Sequence, residues 1–247
     1  MKAAVLAAGE GTRLLPLTET RPKHLIPVAG KPLLDWLIES LRECSISEIL
    51  LIVGRWKDTI AEHFGNGATY GVKTEYVIQP TVEGTAKAIH LAKEFAAGEP
   101  ILVVYGDVLL SSDNLRNVID TFDDSKPDAV MALTPVDRPE FFGVVETERG
   151  FVKRIVEKPE PAAISGNLAN AGVYVFTDSI FEAIDSTPKS QRGEYEVTDS
   201  LRLMLERGRT IRSVEFDRFS WIDIGRPWDL LDANALALRK RGTRING

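Results

Sequence analysis

Uninterrupted apolar runs predict buried β-strands in the first half of the chain. Runs at residues 2–7, 48–53 and 100–105 have the composition of parallel strands that are covered on both faces. Between them, apolar residues recur with the spacing of a helix. This alternation predicts an α/β domain with a mostly parallel sheet and helices on both faces. The predicted strands are 2–7, 48–53, 74–78, 100–105 and 129–134, and the predicted helices are 33–41, 57–64, 85–95 and 115–122.

The pattern changes after residue 135. Strands are predicted at 143–147, 151–157 and 172–176 with hairpin-like spacing, and a loop rich in proline and alanine at 158–167. No linker and no repeat divides the chain, so residues 1–240 are predicted to form one domain around one sheet, followed by a frayed polar tail at 241–247. The remaining predicted elements are the helices 179–184, 198–207 and 228–239 and the short strands 211–216 and 220–224.

Composition narrows the class of protein. The chain has 247 residues, 44% of them hydrophobic, which suits one large domain. The net charge is −6 without a basic block, so we expect neither nucleic acid nor an anionic membrane as a partner. A single cysteine, Cys44, allows no disulfide within the chain. The sequence shows neither a signal peptide nor a membrane-spanning run, and we expect a cytoplasmic protein.

A glycine-rich loop follows the first predicted strand. Gly9 and Gly11 come directly after it, and Arg13 and Lys23 lie beyond them. Backbone N–H groups gathered in such a loop bind anions. An arginine that grips oxygens as a fork and a lysine that supplies a point charge make the loop a candidate polyphosphate site.

Three known patterns compete for this loop. The dinucleotide fingerprint G-x-G-x-x-G fails at its third glycine, which is Leu14 here. The P-loop string is absent, because Lys23 has no glycine before it and no Ser or Thr after it. A bare G-x-G is also compatible with a simple turn that carries solvated charges.

The longer string around the loop resembles a family signature. The segments GEGTRLLPLT at 9–18, PKHLIPV at 22–28 and GKP at 30–32 resemble the sugar-1-phosphate nucleotidyltransferases, of the glucose-1-phosphate thymidylyltransferase and N-acetylglucosamine-1-phosphate uridylyltransferase type. The resemblance implies a Rossmann-like fold with a small antiparallel sugar-binding lobe, an NTP-binding half at about 1–135 and a sugar-phosphate half at about 136–240. The implied reaction joins an NTP and a sugar 1-phosphate into an NDP-sugar and pyrophosphate. Some relatives continue into a β-helix of hexapeptide repeats, so we expect either a single-domain form or a fragment cut at a domain boundary.

The resemblance assigns catalytic and metal-binding roles. It implies that Arg13 contacts the β- and γ-phosphates, Lys23 the α-phosphate, and Lys158 the phosphate of the sugar 1-phosphate. Asp107 ends a buried strand, where ligands of α/β sheets bind, and its oxygens suit Mg²⁺. The family takes its second Mg²⁺ ligand from the region of Asp223. A helix cap or loop aspartate is the simpler alternative for Asp107.

The resemblance also implies the substrate contacts. Gln79 and the Gly84–Thr85 pair would read uracil or thymine, which favours UTP or dTTP, although Thr85 could equally cap a helix. Glucose 1-phosphate and N-acetylglucosamine 1-phosphate both fit, with a slight preference for the amino sugar. The implied nucleotide-binding residues are Leu6, Ala7, Ala8, Gly9, Gly11, Thr12, Gln79, Gly84, Thr85, Tyr105 and Gly106, and the sugar-binding residues are Gly143, Glu157, Asn170, Gly172, Glu196 and Trp221.

Alternatives from other classes stay open at this stage. A non-catalytic regulatory subunit could keep the fold and sense a nucleotide sugar, but it would be expected to lose the arginine, lysine or aspartate set. A guanylyltransferase acting on mannose 1-phosphate differs only in its substrates. Leu14 argues against a nicotinamide-dependent oxidoreductase. Assembly into a homo-oligomer is left open.

Overall fold

A computed structural model describes residues 1–160 and 165–240. It confirms the α/β class, and it places both halves of the chain in one nine-stranded sheet in the order β5-β4-β1-β6-β11-β8-β12-β10-β9. The strands are β1 (Lys2–Ala7), β2 (Pro27–Val28), β3 (Lys31–Pro32), β4 (Glu48–Val53), β5 (Lys73–Ile78), β6 (Ile101–Tyr105), β7 (Val108–Leu110), β8 (Ala129–Pro135), β9 (Gly143–Glu148), β10 (Phe151–Glu157), β11 (Leu168–Phe176), β12 (Ile211–Glu215) and β13 (Trp221–Asp223).

The sheet is mixed rather than mostly parallel. Strands β5, β4, β1 and β6 are parallel, because helical crossovers connect them. Strand β11 then lies antiparallel between β6 and β8, and β9 and β10 form a hairpin at the far edge. Two antiparallel pairs lie outside the main sheet, β13 with β7 and β2 with β3. The strands β2, β3 and β7 were not predicted, since runs of two or three residues show no periodicity.

Helices cover both faces of the sheet. Helices α1, α2 and α5 pack on one face, and α3, α4, α6 and α7 on the other. The predicted helix 85–95 is wrong as one element: backbone bonds from Leu91 to Ala88 and from Ala92 to Ile89 tighten the chain and separate α3 from α4. The helices are α1 (Leu33–Glu43), α2 (Lys57–Phe64), α3 (Thr85–His90), α4 (Lys93–Ala96), α5 (Ser112–Ser125), α6 (Ser179–Asp185), α7 (Val197–Glu206) and α8 (Asp229–Lys240).

A third, smaller core fixes the glycine-rich loop against the end of the chain. Leu14 is fully buried there, beside Leu109 and Ile224, with Ala233 and Ala237 of α8. Leu14 breaks the dinucleotide fingerprint. As a buried apolar residue next to Arg13, it anchors the backbone from which Arg13 extends.

Two further points concern the limits of the chain. No described helix is long and apolar enough to cross a lipid bilayer. The tail predicted at 241–247, and residues 161–164 of the loop predicted at 158–167, lie outside the described residues.

Candidate active site

The two glycines of the first loop make room for Lys23. A Cβ on Gly9 would lie 3.1 Å from Lys23 Cε, and one on Gly11 would lie 3.0 Å from Lys23 Cβ. Gly11 also has a φ of +68°, and its carbonyl accepts a hydrogen bond of 2.8 Å from the Thr18 hydroxyl. The loop therefore wraps the lysine, and side chains at these positions would push it away.

Lys23 forms an ion pair with Asp107 at the carboxyl end of β6. The two side chains are only 12% and 17% exposed. Asp107 is not a helix cap, because strand β7 follows it directly. The Asp107 carbonyl accepts a hydrogen bond of 2.9 Å from the Ile224 N–H, and Asp223 pairs with Val108 across the β7–β13 ladder. This short ladder brings the two acids together although they are far apart in sequence.

The pKa values of the two acids are shifted in opposite directions. Burial, and then the Asp107 carboxylate, raise the pKa of Asp223 to about 7, against the opposing effect of Lys23 and Arg13. Burial also works to raise the pKa of Asp107, but the ion pair with Lys23 outweighs it and holds that pKa below its usual value. Lys23 therefore compensates the charge of the Asp107 carboxylate, whereas Asp223 keeps a raised pKa.

His24 is buried directly beside this pair, as the sequence placed it. Its imidazole is 1% exposed, and neither ring nitrogen has a hydrogen-bond partner among the described residues. Burial, and then the Lys23 charge, lower its pKa to about 3. The ring is neutral near pH 7, so it adds no charge to the site.

Arg13 faces the same acids from the glycine-rich loop. Its Nη2 lies 3.3 Å from the point that a Cβ on Gly225 would occupy, and its charge lowers the pKa of Asp223. Among residues 1–160 and 165–240, no carboxylate forms an ion pair with Arg13. The guanidinium is held by backbone packing and keeps its donors for a ligand.

The predicted base-reading residues lie at the turn before α3. Gln79 is buried, and its Nε2 donates to the Gly84 carbonyl at 3.4 Å. A Cβ on Gly84 would lie 2.4 Å from the Tyr195 carbonyl oxygen, so this glycine is required for the close approach of that backbone. Thr85 does not cap its own helix α3; its hydroxyl instead accepts at 3.0 Å from the N–H of Val197, the first residue of α7, so it caps that helix.

A bulge in β11 shapes the part of the cleft that was predicted to bind the sugar. The pairing with β8 shifts between Asn170 and Tyr174, and Gly172 within the shift has a φ of +69°. Asn170 Oδ1 accepts from the Gly172 N–H at 3.0 Å and from the Tyr174 hydroxyl at 2.7 Å, and the Tyr174 and Tyr105 hydroxyl oxygens are 3.2 Å apart. Since its oxygen is used twice within the protein, the amide nitrogen of Asn170 is the group that could donate to a ligand in the cleft that this residue lines.

Glu157 and Lys158 stand at the end of β10. The Glu157 carboxylate accepts from the Thr198 hydroxyl at 3.0 Å, and Lys158 Nζ is 3.6 Å from Glu157 Oε1. A Cβ on Gly143 would lie 2.9 Å from Glu157 Oε2. Gly143 is thus explained by the space that the glutamate needs, in addition to any contact with a sugar.

Arg192 is a site residue that the sequence interpretation missed. Its Nη1 lies 2.9 Å from Glu196 Oε1 and 3.6 Å from Glu157 Oε1, so it bridges two of the predicted sugar-binding acids. Burial, and then Glu157, raise the pKa of Glu196. Arg192 lies four residues before Glu196, and a charge so close to a predicted sugar-binding acid was the available signal.

A cleft of about 600 Å³, which we call the central cleft, is lined by many of these residues, although Arg192 lies outside its lining. Trp221 closes one side of it, and the Trp221 indole N–H donates to the Ala171 carbonyl at 2.8 Å. Of the predicted site residues, those that line the cleft are Arg13, Thr85, Tyr105, Asp107, Gly143, Glu157, Lys158, Asn170, Glu196, Trp221 and Asp223. Those outside its lining are Leu6, Ala7, Ala8, Gly9, Gly11, Thr12, Lys23, Gln79, Gly84, Gly106 and Gly172.

The donor set fits a hard divalent cation. Within the described residues no group of three or more His, Cys, Asp or Glu side chains is placed to hold a metal ion. Asp107 and Asp223 instead supply two carboxylates, and burial and then repulsion from Asp107 raise the pKa of Asp223; a shared Mg²⁺ would relieve that repulsion. Mg²⁺ commonly takes one or two carboxylates and completes its shell with water and substrate phosphates.

Comparisons with known proteins agree with this geometry. The Haloferax volcanii low-salt glycan biosynthesis nucleotidyltransferase Agl11 is 37% identical over 98% of this chain and 69% of its own length. The Streptomyces griseus glucose-1-phosphate thymidylyltransferase is 36% identical, over 100% and 69%. The Methanococcus maripaludis bifunctional protein GlmU is 39% identical over 100% of this chain, which spans only 57% of that relative.

Solved structures share the fold over nearly the whole chain. A candidate glucose-1-phosphate thymidylyltransferase from Bacillus anthracis, crystallised with sucrose, superposes with a TM-score of 0.87 at 32% identity, over 100% of this chain and 98% of that one. A UDP-glucose pyrophosphorylase in complex with UDP-glucose gives 0.85 at 27% identity, over 97% and 99%. The model of the Nucleotidyl transferase family matches residues 2–240, and the chain belongs to that family.

Proposed function

We propose that this protein transfers a nucleoside monophosphate from UTP or dTTP to a hexose 1-phosphate, glucose 1-phosphate or N-acetylglucosamine 1-phosphate. The observation that carries the proposal is the meeting of Arg13, Lys23, Asp107 and Asp223 at the carboxyl ends of β1 and β6, at one end of the cleft. The relative named as a glucose-1-phosphate thymidylyltransferase supports dTTP and glucose 1-phosphate, and the solved UDP-glucose pyrophosphorylase with bound UDP-glucose supports UTP with the same sugar. Residues 1–135 would bind the nucleotide and residues 136–240 the sugar phosphate.

The reaction needs alignment more than acid–base chemistry. An ionised oxygen of the sugar phosphate attacks the α-phosphorus, the bond from that phosphorus to the β-phosphate oxygen breaks, and its electron pair leaves with pyrophosphate. The nucleophile is already charged, so no strong general base is needed. Catalysis then rests on positioning and on stabilising the charge that develops.

The chain's own residues divide this work. Arg13 would hold the phosphates that leave. Lys23 would exchange its partner Asp107 for the α-phosphate, over a short distance because the loop glycines keep the lysine stem in place. Lys158 and Arg192 would hold the sugar phosphate next to Glu157. Mg²⁺ bound by Asp107 and Asp223 would neutralise phosphate charge near the bond that breaks.

The sugar hydroxyls would meet Asn170, Glu157 and Glu196. The Asn170 amide nitrogen would donate, and the two glutamates supply acceptors. The base would lie at the turn formed by Gln79, Gly84 and Thr85. The hydrogen bond of 3.4 Å from Gln79 Nε2 to the Gly84 carbonyl uses only one of the two N–H donors of that nitrogen, so a pyrimidine would meet an amide that the turn already orients.

One matrix of assays tests the proposal. UTP, dTTP, GTP and ATP are each combined with glucose, N-acetylglucosamine and mannose 1-phosphates, and pyrophosphate release is measured with Mg²⁺ and with EDTA. We expect release with UTP or dTTP and one of the first two sugars, and none with EDTA. Pyrophosphate release only with GTP and mannose 1-phosphate would identify a guanylyltransferase and refute the proposed substrates. Binding without release in every combination would favour the non-catalytic regulatory subunit.

A further inference from the structure

The central cleft carries more negative than positive groups. Eight of its lining residues are Asp or Glu, and five are Arg or Lys. Both substrates of the proposed reaction are strongly anionic, so a cation in this lining matters most when no carboxylate of the protein already neutralises it.

Arg226 is such a cation. Arg138 is paired with Glu140 and Arg218 with Asp137, whereas no ion pair joins Arg226 to a carboxylate anywhere in the described chain. Among the cleft arginines of residues 1–160 and 165–240, Arg226 shares this property with Arg13.

The Arg226 side chain is held by aromatic rings instead. Its guanidinium carbon lies 4.8 Å from the centre of the Phe141 ring and 5.6 Å from that of Trp228. Rings that contact the face of a guanidinium leave the N–H donors at its edge available, and this edge is the part that grips phosphate as a fork. The stacking therefore orients the group without using its donors.

The backbone places Arg226 beside the polyphosphate end of the cleft. The Asp229 carboxylate accepts from the Gly225 N–H at 3.0 Å and from the Arg226 N–H at 2.6 Å, which fixes the turn after Asp223. The Arg13 guanidinium packs against Gly225 in the same turn. Lys158 and Arg192, in contrast, gather around Glu157.

We propose that Arg226 is a second phosphate-contacting arginine, which together with Arg13 holds the terminal phosphates of the nucleotide and the pyrophosphate that leaves. The inference rests on the proposed function. Arg226 was not among the predicted site residues, although it directly follows residues 221–225 (WIDIG), which contain Asp223.

Kinetics in both directions test the role of Arg226. The variants are Arg226→Gln, Arg226→Lys, and Arg218→Gln as the matched control, an arginine of the same cleft that has its own carboxylate partner. For Arg226→Gln we expect the KM for NTP and for pyrophosphate to rise about 10- to 100-fold, the range for one lost hydrogen bond to a charged group. The KM values of Arg226→Lys should lie between those of the wild type and of Arg226→Gln, because lysine keeps the positive charge but loses the forked pair of donors.

The other KM values separate phosphate contact from a purely structural role. The KM values for sugar 1-phosphate and for NDP-sugar should stay within about twofold in Arg226→Gln, since they would rise equally if the residue only kept the cleft in shape. An unchanged KM for pyrophosphate, or an equal rise for all four substrates, overturns the inference.

Direct binding separates this inference from the proposed function. Titration calorimetry with magnesium pyrophosphate needs no turnover, and circular dichroism shows that each variant is folded. We expect weaker binding in Arg226→Gln and unchanged binding in Arg218→Gln. A wild-type protein that binds pyrophosphate through Arg226 but releases none from any substrate pair would refute the proposed function and keep the inference, whereas equal binding by both variants refutes the inference.

Discussion

Replacing Gly172 with alanine tests how the bulge in β11 builds the part of the cleft that was predicted to bind the sugar. The new Cβ would lie 2.5 Å from Tyr105 Cδ2 and 2.7 Å from Tyr105 Cγ, in a backbone with a φ of +69°. The left-handed conformation costs a side chain roughly 1–2 kcal/mol, and overpacking adds about 1–3 kcal/mol. We expect the free energy of unfolding to fall by about 2–5 kcal/mol.

Gly208→Ala is the matched control. Its φ is +74°, and nothing lies within 4 Å of the added Cβ, so only the backbone term of roughly 1–2 kcal/mol applies. Urea unfolding followed by fluorescence and by circular dichroism measures both variants. Equal losses would show that the Tyr105 ring yields at no cost, and the argument from close approach would be wrong.

The same substitution should also change catalysis. A displaced Tyr105 ring disturbs the hydroxyl contact with Tyr174 and, through it, the orientation of Asn170. We therefore expect Gly172→Ala to raise the KM for the sugar 1-phosphate and, because Tyr105 is also a predicted nucleotide-binding residue, the KM for NTP as well. The control at Gly208 should change neither.

Three further predictions concern separate parts of the molecule. Lys23→Ala should lower kcat about 100-fold or more while nucleotide binding weakens less, and turnover at the wild-type rate would refute its role at the α-phosphate. Asp107→Asn should abolish turnover that depends on Mg²⁺; an unchanged Mg²⁺ titration curve would contradict the ligand assignment. Tyr70→Phe removes hydroxyl contacts of 3.1 Å to both Asp35 and His63, away from the cleft, so thermal unfolding should show a loss of about 0.5–1.5 kcal/mol with unchanged kinetics.

Local patterns explain which elements could be predicted. The strand at 151–157 has the predicted bounds, because its apolar positions and flanking turn residues are all local in sequence. Helix α5 extends beyond the predicted 115–122 at both ends. It begins earlier because Ser111 caps it by accepting from the Asn114 N–H, and hydrophobic periodicity does not reveal a cap. The mixed order of the sheet depends on where β11 inserts, which no local pattern encodes.

The residues of the candidate site likewise differ in whether a local sequence pattern could identify them. The loop glycines, Lys23 and Asp107 were identified from contiguous motifs, whereas Arg192 and Arg226 become recognisable only through the side chains around them. Contacts in the folded protein also give additional reasons why a particular residue type is needed at some positions. Gly84 remains a predicted base-reading residue, and the structure adds a separate requirement for glycine there, the close approach of the Tyr195 backbone.

The ion pair between Lys23 and Asp107 suggests how the site is prepared for its substrates. Lys23 lies outside the lining of the acid-rich central cleft, and the loop glycines and the ion pair with Asp107, which does line the cleft, fix the lysine in one position. Asp223 meanwhile has a pKa of about 7, so part of its population carries a proton near neutral pH. When a triphosphate and its divalent cation bind, Asp107 can exchange a lysine for a cation and Lys23 a carboxylate for a phosphate. Each group thus trades one opposite charge for another, so the site avoids the large cost of leaving a buried charge unpaired.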